Sequence, residues 1–111
     1  MRYWRAGLPT AAALAAVALL PAPAALAAPR QHTVIIDKMK FSPLPANVKV
    51  GDTIRWVNRD MVKHTATARD KSFNVDLAPG KSATVKIRRA GSISIYCIYH
   101  PGMKAVLKVA R

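Results

Sequence analysis

Cys97-Ile98-Tyr99-His100-Pro101-Gly102-Met103 sets a thiol, an imidazole and a thioether three residues apart, around a Pro-Gly pair able to reverse the chain. The cysteine is the only one in the sequence. A second imidazole, His64, lies 33 residues upstream of it, after a polar stretch that begins at Asn58. Two imidazoles, one thiolate and a weakly held thioether are the donors of a trigonal copper site, since soft sulfur suits Cu(I) and imidazole nitrogen also accepts Cu(II). Zinc could take the cysteine and the histidines tetrahedrally, but thioether is a poor zinc ligand and Met103 would go unexplained. Nucleophilic catalysis by Cys97 and a histidine lacks an evident acid or amide to orient the base.

The chain around these donors alternates with period two, the signature of half-buried strands. Val34 and Ile36 share one side of residues 32–37, and Ile54 and Trp56 share one side of residues 53–58. Gly51-Asp52 reads as a turn dipeptide linking the strands at 47–50 and 53–58. Ala83, Val85 and Ile87 point inward along 82–88, with Thr84, Lys86 and Arg88 outward. Ile93, Ile95 and Cys97 share the inward face of 92–97, so the cysteine enters the core at its strand's end. Residues 104–110 return antiparallel to that strand, which makes the donor segment a hairpin tip. His64 sits where a strand restarts, and convergence requires that strand to lie beside the one carrying Cys97. His32, near the presumed mature N-terminus, reads as solvated, with a copper site at the N-terminal amine as its functional alternative. Pro43, Pro45 and Pro79-Gly80 break the remaining segments. About seven short strands with frequent turns, and no long run of period 3.6, predict an all-β antiparallel Greek-key sandwich.

Residues 1–27 read as a secretory signal peptide. Arg2 and Arg5 give a basic start, an Ala/Leu-rich run extends from Ala11 to Leu20, and Ala25-Leu26-Ala27 offers a cleavage site after Ala27. The apolar run is too short and too rich in Ala and Pro for a spanning helix. No cysteine stands near the cleavage site to carry a lipid, and Arg2 and Arg5 are not adjacent as a twin-arginine signal needs. The expectation is Sec-type export to the periplasm of one domain, residues 28–111, with no integral membrane segment left after cleavage. Small exported domains often lean on disulfides, which a single cysteine cannot form internally. A bound metal would occupy the thiol and stabilise the fold.

Setting aside Arg2 and Arg5 leaves 16 basic residues against five aspartates, a net charge of +11. Export excludes nucleic acid as the partner, and the basic residues are scattered singly apart from Arg88-Arg89. An acidic protein partner or an anionic surface fits the charge better.

Trp56-Val57-Asn58, His64-Thr65, Leu77-Ala78-Pro79-Gly80 and Tyr96-Cys97…His100…Met103 together resemble the cupredoxin family of small type 1 blue copper proteins, over residues 33–110. The short donor loop is most similar to that of the amicyanin subgroup, and Met39-Lys40-Phe41 with Pro43 resembles the segment before the first hairpin. Tyr99 departs from the proline usual there, and Ile95 from a position often aromatic. The resemblance implies a cupredoxin-like sandwich binding one copper ion, Cu(I) or Cu(II), with His64, Cys97 and His100 equatorial and Met103 axial. It implies that the Thr65 hydroxyl pins the cysteine loop, and that His100, ringed by Pro101, Met61 and Val62, is the exit for the electron. The function it implies is that of a soluble, monomeric one-electron carrier, not an enzyme, serving a cytochrome or dehydrogenase with an acidic docking surface. Periplasmic copper delivery or storage on the same fold is the alternative, though only Met39, Met61 and Met103 occur in the mature chain, few for storage.

Overall fold

The computed structural model describes residues 2–4, 6–20 and 28–111. Residues 2–4 and 6–20 hold neither helix nor strand, and no helix among the described residues is long and apolar enough to cross a membrane. The cleavage point expected after Ala27 lies outside the described residues.

Nine strands follow among the described residues: β1 (Gln31–Asp37), β2 (Lys40–Phe41), β3 (Val48–Lys49), β4 (Thr53–Asn58), β5 (His64–Ala68), β6 (Asn74–Leu77), β7 (Ser82–Lys86), β8 (Gly91–Tyr96) and β9 (Lys104–Ala110). They form two sheets, ordered β2-β1-β4-β7 and β3-β9-β8-β5-β6. The chain passes repeatedly from one sheet to the other, as a Greek-key sandwich demands. One cluster unites their inner faces: Val34, Ile36, Ile54 and Trp56 from the first, and Ala66, Leu77, Ile93, Ile95 and Leu107 from the second. Trp56 is fully buried, with Phe41 edge-on at 5.8 Å and Phe73 at 6.0 Å. Such centroid spacings suit aromatic quadrupoles and add to the area term.

Most pairings are antiparallel, but β1–β4 and β3–β9 run parallel. Gly51, at φ 96°, does turn the chain between two strands. Those strands do not pair with one another, because β3 joins β9 in one sheet and β4 joins β1 in the other. The turn is therefore a crossing between sheets, and Asp52 holds it. Its carboxylate accepts the N–H groups of Arg30 and Lys49, each at 3.0 Å, and lies 2.9 Å from His32 Nε2. His32 is thus not solvated as its position in the sequence suggests. Its side chain is 13% exposed and bound to a carboxylate twenty residues away.

The Arg30 amide, then the His32 ring and the Lys49 amide, pull the Asp52 carboxyl down from the usual 3.8 to about 2. A folded-state value below the unfolded one stabilises the protein above pH 4. That contribution, about 2 kcal/mol at 1.36 kcal/mol per unit, fades as pH falls from 4 through 2. Asp52→Asn should flatten this part of the stability curve, measured by denaturant unfolding between pH 2 and 6. An unchanged slope would remove Asp52 as the acid-sensitive clasp.

Candidate metal site

β5 lies between β6 and β8, and β5 and β8 pair antiparallel with Thr67 opposite Tyr96 and Ala68 opposite Ile95. The start of one therefore meets the end of the other. That places His64, the first residue of β5, at the same pole as Cys97, which follows β8. Both are fully buried. The loop from Cys97 to Met103 is closed by its own backbone: Cys97 N–H donates to the Met103 carbonyl at 3.1 Å, and Met103 N–H to the His100 carbonyl at 2.8 Å. His100 is thereby folded back to Cys97, and the Met103 side chain turns into the core beside the thiol's own cluster.

Donor atoms of His64, Cys97 and His100 all lie within 4.8 Å of one another. Cys97 Sγ is 3.8 Å from His64 Nδ1 and 3.6 Å from His100 Nδ1. First-row metal bonds of about 2.0–2.1 Å to nitrogen and 2.3 Å to sulfur, at angles between tetrahedral and trigonal, require S···N separations of about 3.5–3.8 Å. Both sulfur–nitrogen separations thus suit a small metal ion bound to the thiol and to either imidazole. The two imidazoles meet edge to face, with centroids 5.0 Å apart. The three donors expected from the sequence are thus brought together, and the fourth residue, Met103, is buried where its loop returns.

The protein also fixes each donor from behind. Thr65 N–H points at Cys97 Sγ at 3.3 Å, and Thr65 Oγ1 accepts the Ile98 N–H at 2.9 Å. The hydroxyl holds the cysteine loop as expected. Asp60 is the residue that sequence reasoning missed. Its Oδ2 lies 2.7 Å from His64 Nε2, so an acid orienting the ring does exist. Accepting the Nε2 proton leaves the Nδ1 lone pair aimed at the site. The same carboxylate accepts the Lys38 N–H at 2.7 Å and the Met39 N–H at 2.9 Å. The Met39 amide, followed by His64 and the Lys38 amide, lowers the Asp60 pKa. A signal existed in the Asn58-Arg59-Asp60 triplet. Asn58 Oδ1 accepts the Asp60 N–H at 2.9 Å, a side-chain-closed turn that aims the acid inward.

An oriented base does not revive nucleophilic catalysis, since the thiol is sealed from solvent. His100 alone among the three donor residues is partly open. Near it in the sequence Ile98 and Tyr99 are each 46% exposed, Pro101 is exposed, and Met61 and Val62 project from the loop before His64.

A family model described as a cupredoxin-like domain matches residues 10–109. The amicyanin of Paracoccus denitrificans is 28% identical over 107 residues, covering 87% of this chain and 82% of that protein. The amicyanin of Paracoccus versutus is 28% identical over 75 residues; the match takes in 62% of this chain and spans only 57% of that relative's length. Among solved structures, a reduced Cu(I) form of an amicyanin variant is similar with a TM-score of 0.62 and 27% identity, covering 72% of this chain and 82% of the other.

Proposed function

The chain belongs to the cupredoxin-like family, and from that premise we propose that it is a type 1 copper protein carrying single electrons between redox partners. One observation carries the reading: nitrogen and sulfur donors of His64, Cys97 and His100 lie within 4.8 Å of one another at the end of a packed sandwich. In this reading His64, Cys97 and His100 would hold the copper, with Met103, buried where the loop returns, as a further and weaker donor. The ion supplies a Cu(II)/Cu(I) couple whose donor set suits both states. The residues supply fixed positions. β5 holds His64, β8 holds Cys97, and the loop's backbone bonds hold His100 and Met103, so little rearrangement opposes transfer.

His100, the donor nearest solvent, is the exit for the electron, and Met61, Val62, Ile98, Tyr99 and Pro101 form the surface a partner covers. The net charge of +11 that remains on residues 28–111 favours a partner with an acidic docking face, a cytochrome or a dehydrogenase. Association with such a partner should slow as salt rises. A rate indifferent to ionic strength would remove electrostatic steering. The basic, apolar and Pro/Ala-rich segments of residues 1–27 support export through a Sec-type signal, with residues 28–111 working as a monomer in the periplasm.

The experiment is to isolate the protein from the periplasmic fraction, titrate it with copper and with zinc, and record visible absorption and reversible reduction. An intense blue colour, bleached on reduction and restored on oxidation, is expected with copper alone. A colourless protein that yields its copper to a chelator on mixing would overturn the carrier reading in favour of delivery. Recovery only from the cytoplasm, with residues 1–27 still attached, would overturn export.

A further inference from the structure

We propose that Thr67 and Asn74 are positioning residues for the Cys97–His100 loop, acting through Thr65 along one hydrogen-bond chain that runs from the sheet edge to the buried loop; this deepens the electron-carrier reading and rests on it. In β5, His64, Ala66 and Ala68 enter the core, so Thr65 and Thr67 lie on the opposite face of the strand. Alternation alone would give that face to solvent. It is instead covered, with Thr65 1% and Thr67 9% exposed.

With Asn74 Oδ1 facing Thr67, the protons along the chain have one arrangement. Thr67 Oγ1 donates its single proton to Asn74 Oδ1 at 2.7 Å. At the 2.9 Å contact between the two threonine hydroxyls, Thr65 must therefore be the donor. With its proton committed to Thr67, Thr65 Oγ1 presents a lone pair to the Ile98 N–H at 2.9 Å. A threonine hydroxyl with no such acceptor is a rotor, free to swing its proton toward the amide it should be holding. Thr67 takes that freedom away, and Asn74, opposite Thr67 in the β5–β6 register, fixes Thr67 in turn. Ile98 immediately follows Cys97, so its amide sets the direction in which the loop leaves the thiol. Thr65 N–H meets the thiol itself at 3.3 Å. One residue thus grips both the sulfur and the loop, and the chain behind it decides how firmly.

A second tie to the same loop provides the internal control. Tyr99 OH donates to Asp76 Oδ2 at 3.0 Å, with Lys63 Nζ 3.4 Å from that oxygen, but these groups are about half exposed. Such a tie competes with water and salt and holds weakly.

The test is amide hydrogen exchange in the copper-free protein for Thr67→Val, Thr67→Ser, Asn74→Ala and Tyr99→Phe. Thr67→Val keeps the shape and the β-branch but removes the hydroxyl. It should speed exchange at the Ile98 amide about tenfold relative to the amides of β8 and β9. Asn74→Ala, at an exposed edge position that does not threaten folding, should act in the same direction by a smaller factor. Thr67→Ser should restore the wild-type rate, and Tyr99→Phe should leave it unchanged. In the copper-loaded protein, Thr67→Val should slow electron self-exchange and Thr67→Ser should not. If Ile98 exchanges at the wild-type rate in both Thr67→Val and Asn74→Ala, or if all β8 and β9 amides accelerate by the same factor, the two residues serve only the sheet and the proposal fails. The copper-free measurement decides this even if the site proves to take no copper, in which case the electron-carrier reading alone falls.

Discussion

Asp60→Ala should weaken Cu(II) binding by about 10–100-fold, the usual effect of deleting a carboxylate behind a metal-bound histidine. It should also destabilise the copper-free protein by about 2–4 kcal/mol. The larger part of that loss is the His64 Nε2 proton, left without a partner in a fully buried ring, which costs about 1–3 kcal/mol. The rest comes from the turn between β1 and β2. Lys38 and Met39 adopt φ of 52° and 61°, a left-handed pair that favours Asn-Gly and strains other residues by about 1–2 kcal/mol each. Their amides are held by Asp60. One carboxylate thus restrains a strained hairpin and orients a candidate ligand, so damage to either should be felt by the other.

Asp60→Asn separates charge from shape. Oδ2 accepts from both Met39 N–H and His64 Nε2, while Oδ1 accepts from Lys38 N–H. An amide oxygen can replace Oδ2, but its NH2 group then faces the Lys38 N–H, donor against donor. The loss of stability should be smaller than for alanine. The lost negative charge should still favour Cu(I), raising the midpoint potential by about 59 mV for each tenfold selective loss of Cu(II) affinity. Denaturant unfolding of the copper-free variants and voltammetry of the loaded ones check both parts. Unchanged stability in Asp60→Ala would mean that water replaces the carboxylate, and an unchanged potential in Asp60→Asn would mean that its charge does not reach the metal.

Asp60 also marks the limit of what the sequence discloses. Alternation placed Ile54 and Trp56, and Ile93, Ile95 and Cys97, on the faces they occupy, because a strand's period is local and each face is either packed or wet. The same logic put His64 at the head of a strand beside that of Cys97. Period two is silent about which sheet a strand joins. Gly51-Asp52 therefore reads only as a turn linking two strands, and that this turn is a crossing between sheets, held by Asp52 through Arg30, Lys49 and His32, is not in the pattern. β2 and β3, two residues each, are too short to show any period. β6 lies on an edge of its sheet, and its Asn74, Asp76 and Leu77 do not announce an inward face. Contacts that depend on chain path rather than pattern, such as His32 with Asp52 or Thr67 with Asn74, became legible only once strands were neighbours.

Cys97→Ser should abolish the colour and the copper-linked stability while leaving the sandwich intact. The thiol is fully buried, and a hydroxyl is smaller and more polar, so the copper-free protein loses about 1–3 kcal/mol unless Thr65 N–H supplies a partner. The effect on the loaded protein is larger. A ligand present at a thousand times its dissociation constant stabilises the folded state by about 4 kcal/mol, and the serine oxygen lacks the soft, anionic character that makes Cys97 the strongest donor of the set. Thermal unfolding with and without copper separates the two losses: copper should raise the midpoint of the wild type and leave the serine variant where it was. A buried cysteine that is only a small core side chain predicts the same modest loss without copper but an undiminished response to it. That pattern would move the metal away from Cys97, and with it the electron carrier this fold is proposed to be.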